Sequence, residues 1–125
     1  MNLLLDTHVL IWWLADDEAL SGDARRAISN PNNLVLVSAA SAWEIAIKTA
    51  AGKLNVPGNL ETELSSNGFR ALPITLAHGE AAGRLPMHHR DPFDRILIAQ
   101  AMIEGLTLVT RDRRMEPYGV KLIRA

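Results

Sequence analysis

The sequence predicts an α/β fold built on a mainly parallel sheet. Two observations carry this. Apolar runs of strand length recur along the chain, and stretches with helical periodicity alternate with them. No internal repeat, low-complexity tract or long linker interrupts the alternation, so the 125 residues are read as one domain over 1–125.

The elements follow in order. Leu3, Leu4 and Leu5 form a buried first strand that Asp6 ends. Helical spacing covers 9–14. Ser21 caps a second helix that runs to about Ser29, where Asn30-Pro31 stops it. Residues 34–37 are a second strand. The Ala- and Ile-rich stretch 38–51 is a helix closed by Gly52, with Ser38 and Ser41 competing for its cap and Ser41/Glu44 at capping-box spacing. A short surface helix is expected over 59–66, a short third strand over 70–74, and a helix over 75–84 begun by Thr75. After a basic, His-rich loop at 85–90, Asp91 as cap and Pro92 at the first helical position start a helix that Gly105 ends. Residues 106–110 are a buried strand and 121–123 a last edge strand.

Composition narrows the function classes. Apolar residues are 48% and charged residues 22% of the chain, which is globular composition rather than disordered. The formal net charge of −1 excludes a uniformly basic nucleic-acid binder, so any such site must be a local patch. The absence of cysteine excludes disulfides, thiolate zinc sites and cysteine nucleophiles. The apolar opening carries no basic leader, and Asp6 and His8 interrupt it well short of the ~18 residues a membrane span needs. A soluble, cytoplasmic protein is expected.

Four acidic residues stand out by position. The strand pattern puts Asp6 and Asp112 just past strand ends, and Glu44 and Asp94 on helices that begin there. Ligands of open α/β sheets bind at the carboxyl ends of strands, near the topological switch point. Two carboxylates ~5 Å apart repel by about 3 kcal/mol at an effective dielectric near 20. Such a cluster needs bound protons or a hard cation, and Mg²⁺ and Mn²⁺ prefer carboxylate and water oxygens. One or two such ions polarise phosphoryl oxygens and activate water, so phosphodiester hydrolysis is the indicated chemistry. Each acid has a plainer reading too: Asp6 as a helix cap, Glu44 as partner of Lys48 at i, i+4, Asp94 as an acid favoured by a helix dipole, and Asp112 as a turn or capping residue.

The combination is more specific than its parts. The run Leu3-Leu4-Leu5-Asp6-Thr7-His8 resembles the opening motif of PIN-domain proteins. Ser38 to Lys48 with Gly52-Lys53-Leu54 resembles the second motif, centred on Glu44. Asp91-Pro92-Phe93-Asp94-Arg95-Ile96-Leu97-Ile98-Ala99-Gln100-Ala101 is similar to the third, and Val109-Thr110-Arg111-Asp112 to the fourth. The order is that of the family, the whole chain is covered, and the likeness is to the VapC-like toxin branch. The resemblance implies a three-layer α/β/α domain with helices flanking a central, mainly parallel sheet. It implies catalytic and metal-holding roles for Asp6, Glu44 and Asp94, and for Asp112 at a position where the family also uses Asn. It implies supporting roles for Thr7 and for Thr110, whose hydroxyl would orient Asp6 or a metal's water. It further implies an endoribonuclease that uses one or two Mg²⁺ or Mn²⁺ ions on tRNA, rRNA or mRNA. The partners it implies are a small antitoxin that blocks the site and a second copy of the chain in a homodimer.

An RNA substrate needs positive charge beside the acids. Arg84, His88, His89, Arg90 and Arg95 cluster in sequence near Asp94, and Arg111, Arg113 and Arg114 flank Asp112. These eight are the expected phosphate contacts. The histidines match no compact zinc motif, so His8, His88 and His89 are read as structural or surface groups and not as ligands. Trp12, Trp13 and Trp43 are read as core or partner-interface residues. Two rival readings stand. An aspartyl-nucleophile phosphatase at Asp6 would usually carry a second Asp two residues on, where this chain has His8. A non-catalytic nucleic-acid- or protein-binding module on an α/β scaffold would not need acids at all four motif positions.

Overall fold

A computed structural model describes residues 1–56 and 58–125. Five strands form one sheet: β1 (Asn2–Leu5), β2 (Leu34–Ser38), β3 (Arg70–Leu72), β4 (Thr107–Thr110) and β5 (Leu122–Arg124). Their order is β3-β2-β1-β4-β5, and every pairing is parallel. The helices are α1 (Thr7–Leu14), α2 (Gly22–Ser29), α3 (Ala39–Ala50), α4 (Leu60–Ser66), α5 (Leu76–Arg84) and α6 (Pro92–Glu104), and a 3₁₀ segment covers Arg113–Tyr118.

Strand alternation divides the core into two layers. Leu3, Leu5, Val35, Val37 and Val109 enter one apolar cluster together with Val9 and Leu10 of α1, Ala24 and Ile28 of α2, and Ile45 of α3. Their sequence neighbours Leu4 and Leu108 point into the other cluster, with Leu97, Ile98 and Ala101 of α6. A strand buried on both faces must be apolar throughout, which is why Leu3-Leu4-Leu5 shows no polar alternation. The result is the expected α/β/α layering on a parallel sheet. The chain steps from β1 outward to β2 and β3, then returns to β4 on the opposite side of β1. The switch point therefore lies at the carboxyl ends of β1 and β4.

Local differences from the sequence expectation have physical causes. The strand expected over 70–74 stops at Leu72, because Pro73 has no N–H for a ladder. The edge strand is displaced by one residue, to Leu122–Arg124. Ser38, not Ser41, caps α3: its Oγ accepts from the Ala40 N–H at 3.0 Å. The 3₁₀ segment was unread in the sequence; the Asp112 side chain starts it by accepting from the Arg114 N–H.

Leu97 is fully buried between α6 and the sheet. Replacing it with Ala is expected to cost about 2–5 kcal/mol, read as a lower urea midpoint with an unchanged slope.

Candidate metal centre

The first carboxylate leaves the central strand directly. Asp6 continues the ladder by donating its N–H to the Val109 carbonyl at 3.0 Å, and its own carbonyl accepts from Leu10 in α1. Asp6 occupies the N-cap position of α1, yet its side chain makes no cap bond. Instead Oδ2 accepts from the Thr110 hydroxyl at the end of β4, at 2.6 Å. The plainer reading of Asp6 as a cap therefore fails, and the carboxylate is left turned toward the switch point. Burial pushes its pKa up, with Glu44 adding to the rise and the Thr110 bond opposing it.

Glu44 lies on α3, 4% exposed, with Oε2 at 2.6 Å from Lys48 Nζ. The expected i, i+4 pair exists, and it sits inside the site rather than on an outer helix face. One helical turn earlier, Ser41 Oγ accepts from the Thr7 hydroxyl at 2.9 Å, fully buried. Thr7 adjoins Asp6 and Ser41 shares a helix face with Glu44, so this bond fixes the two acids relative to each other.

Asp91 and Pro92 start α6 as the sequence predicts. Asp91 Oδ1 accepts from the N–H groups of Phe93 and Asp94, at 2.9 and 3.3 Å. Asp94 then projects from the first turn with Oδ2 2.9 Å from His89 Nε2, and the same nitrogen lies 3.0 Å from Asp112 Oδ2. His89 Nδ1 accepts the Asp91 N–H at 3.3 Å, so the ring proton sits on Nε2 and is donated to Asp112 Oδ2, with Asp94 Oδ2 in close contact beside it. Asp94 is pushed up to about 8, first by burial and then by the charges of Asp6, Asp91, Glu44 and Asp112. Asp112 is held down at about 2, chiefly by its hydrogen bonds from Arg114.

These groups share one cleft of about 330 Å³. Asp6, Glu44, Asp91, Asp94 and Asp112 line it, with His8, Val9, Trp12, Lys48, Arg111 and Arg114. The four acids expected from the sequence are thus brought together, and Asp91 joins them while serving as a cap.

The expected phosphate contacts divide sharply. Arg111 and Arg114 line the cleft. Arg84, His88, Arg90 and Arg113 are exposed but do not line it. Arg84 pairs with Glu80, and the His88 ring stacks edgewise on Tyr118. Arg95 and His89 correct the expectation, because both are buried. The Arg95 guanidinium donates to the carbonyls of Ala82, Leu85, Pro86 and His89 at 2.7 to 3.1 Å. It does not line the cleft, and it holds the 85–90 loop so that His89 reaches Asp94 and Asp112. The tryptophans divide as well. Trp13 bonds Asn67 and packs on Phe69, Trp12 lies under Arg111 at the cleft wall, and Trp43 is 61% exposed against Phe93. The sequence reading missed His8, Lys48 and Trp12 as cleft residues. Lys48 carried a signal in its spacing from Glu44, whereas Trp12 carried none.

Comparison with known proteins settles the family. Residues 3–121 match the PIN domain family. The chain belongs to the PIN domain family. It is 34% identical over 120 residues to Ribonuclease VapC22 of Mycobacterium tuberculosis, covering 94% of this chain and 92% of that one. Solved structures share the fold at lower identity. VapBC2 from Rickettsia felis, bound to a promoter DNA fragment, superposes with a TM-score of 0.69 at 13% identity, covering 99% and 98% of the two chains. FitAcB from Neisseria gonorrhoeae gives 0.61 at 20% identity, covering 97% and 96%.

The PIN-type cleft of this chain fits a hard divalent cation. Its donors are carboxylate oxygens. One oxygen of Asp6 and one of Glu44 are taken by Thr110 and Lys48, the other oxygen of each has no side-chain donor among the described residues, and Asp94 has only the 2.9 Å contact of its Oδ2 with His89 Nε2. Asp94 is raised first by burial and then by the charges of four neighbouring acids, which leaves negative charge for a cation to offset.

The sign of the pH effect follows. Between pH about 4 and 8 folded Asp94 keeps a proton that the unfolded chain has released, so its contribution to stability falls as pH rises through that window. The slope is at most about 1.4 kcal/mol per pH unit. Urea unfolding in EDTA should therefore find Asp94→Asn more stable than the parent at pH 8.5 and nearly equal to it at pH 4. An equal difference at both pH values contradicts this.

Proposed function

We propose that this chain is a divalent-metal-dependent endoribonuclease and the toxin half of a toxin–antitoxin pair. One observation carries the reading: Asp6, Glu44 and Asp94, from three separate elements, meet in one cleft at the switch point together with Asp91 and Asp112. Kinship with Ribonuclease VapC22 supports RNA as the substrate, and a solved toxin–antitoxin complex from Klebsiella pneumoniae that shares the fold (TM-score 0.65, 19% identity) supports a small antitoxin.

Asp6, Glu44 and Asp94 hold one or two Mg²⁺ or Mn²⁺ ions. A bound ion supplies polarisation of a phosphoryl oxygen and a lowered pKa for water in the cleft. The remaining work belongs to the chain. Thr110 and Lys48 fix the orientation of Asp6 and Glu44 by hydrogen bonds, and His89 packs its Nε2 against Asp94. Arg111 and Arg114 place positive charge beside them, where a phosphate backbone is positioned without its sequence being read. Unpaired RNA in single strands or loops is the fitting substrate, since its bases can be splayed from a small open cleft. Among the described residues no Ser–His–acid grouping supplies a protein nucleophile, and none is needed. The exposed apolar surface of Trp43 and Ile47 supports a protein partner, either antitoxin or a second copy in a homodimer. No helix among the described residues is long and apolar enough to cross a membrane.

Cleavage of a single-stranded RNA by the purified chain should require Mg²⁺ or Mn²⁺ and stop in EDTA. Asp6→Asn should lower the rate at least about 100-fold, the loss of some 2.7 kcal/mol of transition-state stabilisation. Equal cleavage by parent and variant would show that the activity is a contaminant's.

A further inference from the structure

Asp112 differs from its three companions in how its oxygens are used. Oδ1 accepts from the Arg114 main-chain N–H and from Arg114 Nε, both at 3.0 Å. Oδ2 accepts from Arg114 Nη2 at 2.9 Å and from His89 Nε2 at 3.0 Å. A carboxylate offers about four lone-pair sites, and here all are filled. Asp6, Glu44 and Asp94 each keep an oxygen without a side-chain donor among the described residues. The proximity of His89, Asp94 and Asp112 does not make a second cation site either. The ring nitrogen they share carries a proton, because the other nitrogen accepts from Asp91.

We propose that Asp112 is not a metal ligand but a positioning residue that aims Arg114, and that Arg114 is the group that grips the phosphodiester being cut. This rests on the nuclease reading. The fork of Arg114 is clamped through Nε and Nη2, while Nη1 has no acceptor among the described residues and the side chain is 67% exposed at the cleft. A guanidinium fixed on one edge presents its remaining N–H groups in a set direction, which suits a non-bridging phosphate oxygen. Arg111 is not equivalent. It is stacked on Trp12 with its carbon 4.3 Å from the ring centroid, and Nη2 is spent on the main-chain oxygens of Ala19 and Ala125. The 3₁₀ segment thus acquires a function: it sets Arg114 two residues beyond the acid that aims it.

The test pairs a binding measurement with kinetics. Mn²⁺ is titrated calorimetrically into the metal-free parent, Asp112→Asn, Arg114→Gln and Asp94→Asn. Asn retains the oxygen that caps the 3₁₀ segment, and Arg114→Gln leaves Asp112 itself intact. Asp112→Asn and Arg114→Gln should keep the Mn²⁺ affinity within about threefold of the parent, whereas Asp94→Asn should lose roughly tenfold or more. In cleavage of one RNA, Asp112→Asn, Arg114→Gln and the double variant should all lose activity by the same factor, about 10- to 100-fold, because the two residues act as one unit. Loss of Mn²⁺ binding in Asp112→Asn comparable to that in Asp94→Asn overturns the proposal, as do kinetic losses that multiply in the double variant. A parent that neither binds Mn²⁺ nor cleaves RNA overturns this and the nuclease reading together. A parent that does both, with Mn²⁺ binding lost in Asp112→Asn, overturns this alone.

Discussion

Five carboxylates face one small cleft at the carboxyl ends of β1 and β4, and the fold must hold them there against their mutual repulsion. At ~5 Å and an effective dielectric near 20, each like-charge pair costs about 3 kcal/mol. The surrounding structure answers with fixed donors rather than distance. Thr110 holds Asp6, Lys48 holds Glu44, His89 links Asp94 to Asp112, and Arg114 grips Asp112. The compensation does not extend to Asp94, which burial first and the neighbouring acids second push up to about 8. A stable apolar core allows the fold to carry this local cost. The leucines of β1 are buried on both faces immediately before Asp6, so the most strained electrostatics begin where the firmest packing ends.

Buried polar groups behind the acids give the site its rigidity. Arg95 would read as a surface cation from its charge alone, yet it satisfies four carbonyls of the loop that carries His89. Tyr118 closes the same loop from the other side, accepting from the His89 N–H and donating to the Pro86 carbonyl. The buried Thr7–Ser41 bond does the same for the Asp6 and Glu44 pair. A metal site of this kind depends on such supports as much as on its ligands.

The elements that punctuate the chain strongly were the legible ones. Asp91-Pro92 and Gly105 mark both ends of α6, and the unbroken apolar run of β1 announces a doubly buried strand. The acids could be picked out because each lies one or two residues from a strand end or in the first turns of a helix. What could not be read was the use of the cations. Charge in a loop suggests solvent and phosphate, and nothing local distinguishes Arg95, whose partners lie up to 13 residues away, from Arg114, whose partner is two residues away. The Thr110–Asp6 and Thr7–Ser41 bonds join residues 104 and 34 apart, so they exist only once the sheet has formed.

The most direct test of the account is a crystal soaked in Mn²⁺ and measured for anomalous scattering. A peak should appear among the oxygens of Asp6, Glu44 and Asp94, at about 2.0–2.3 Å from each ligand, with Asp112 still bonded to Arg114. A peak that excludes Asp6 and Glu44, or no peak in the cleft at saturating Mn²⁺, would contradict it.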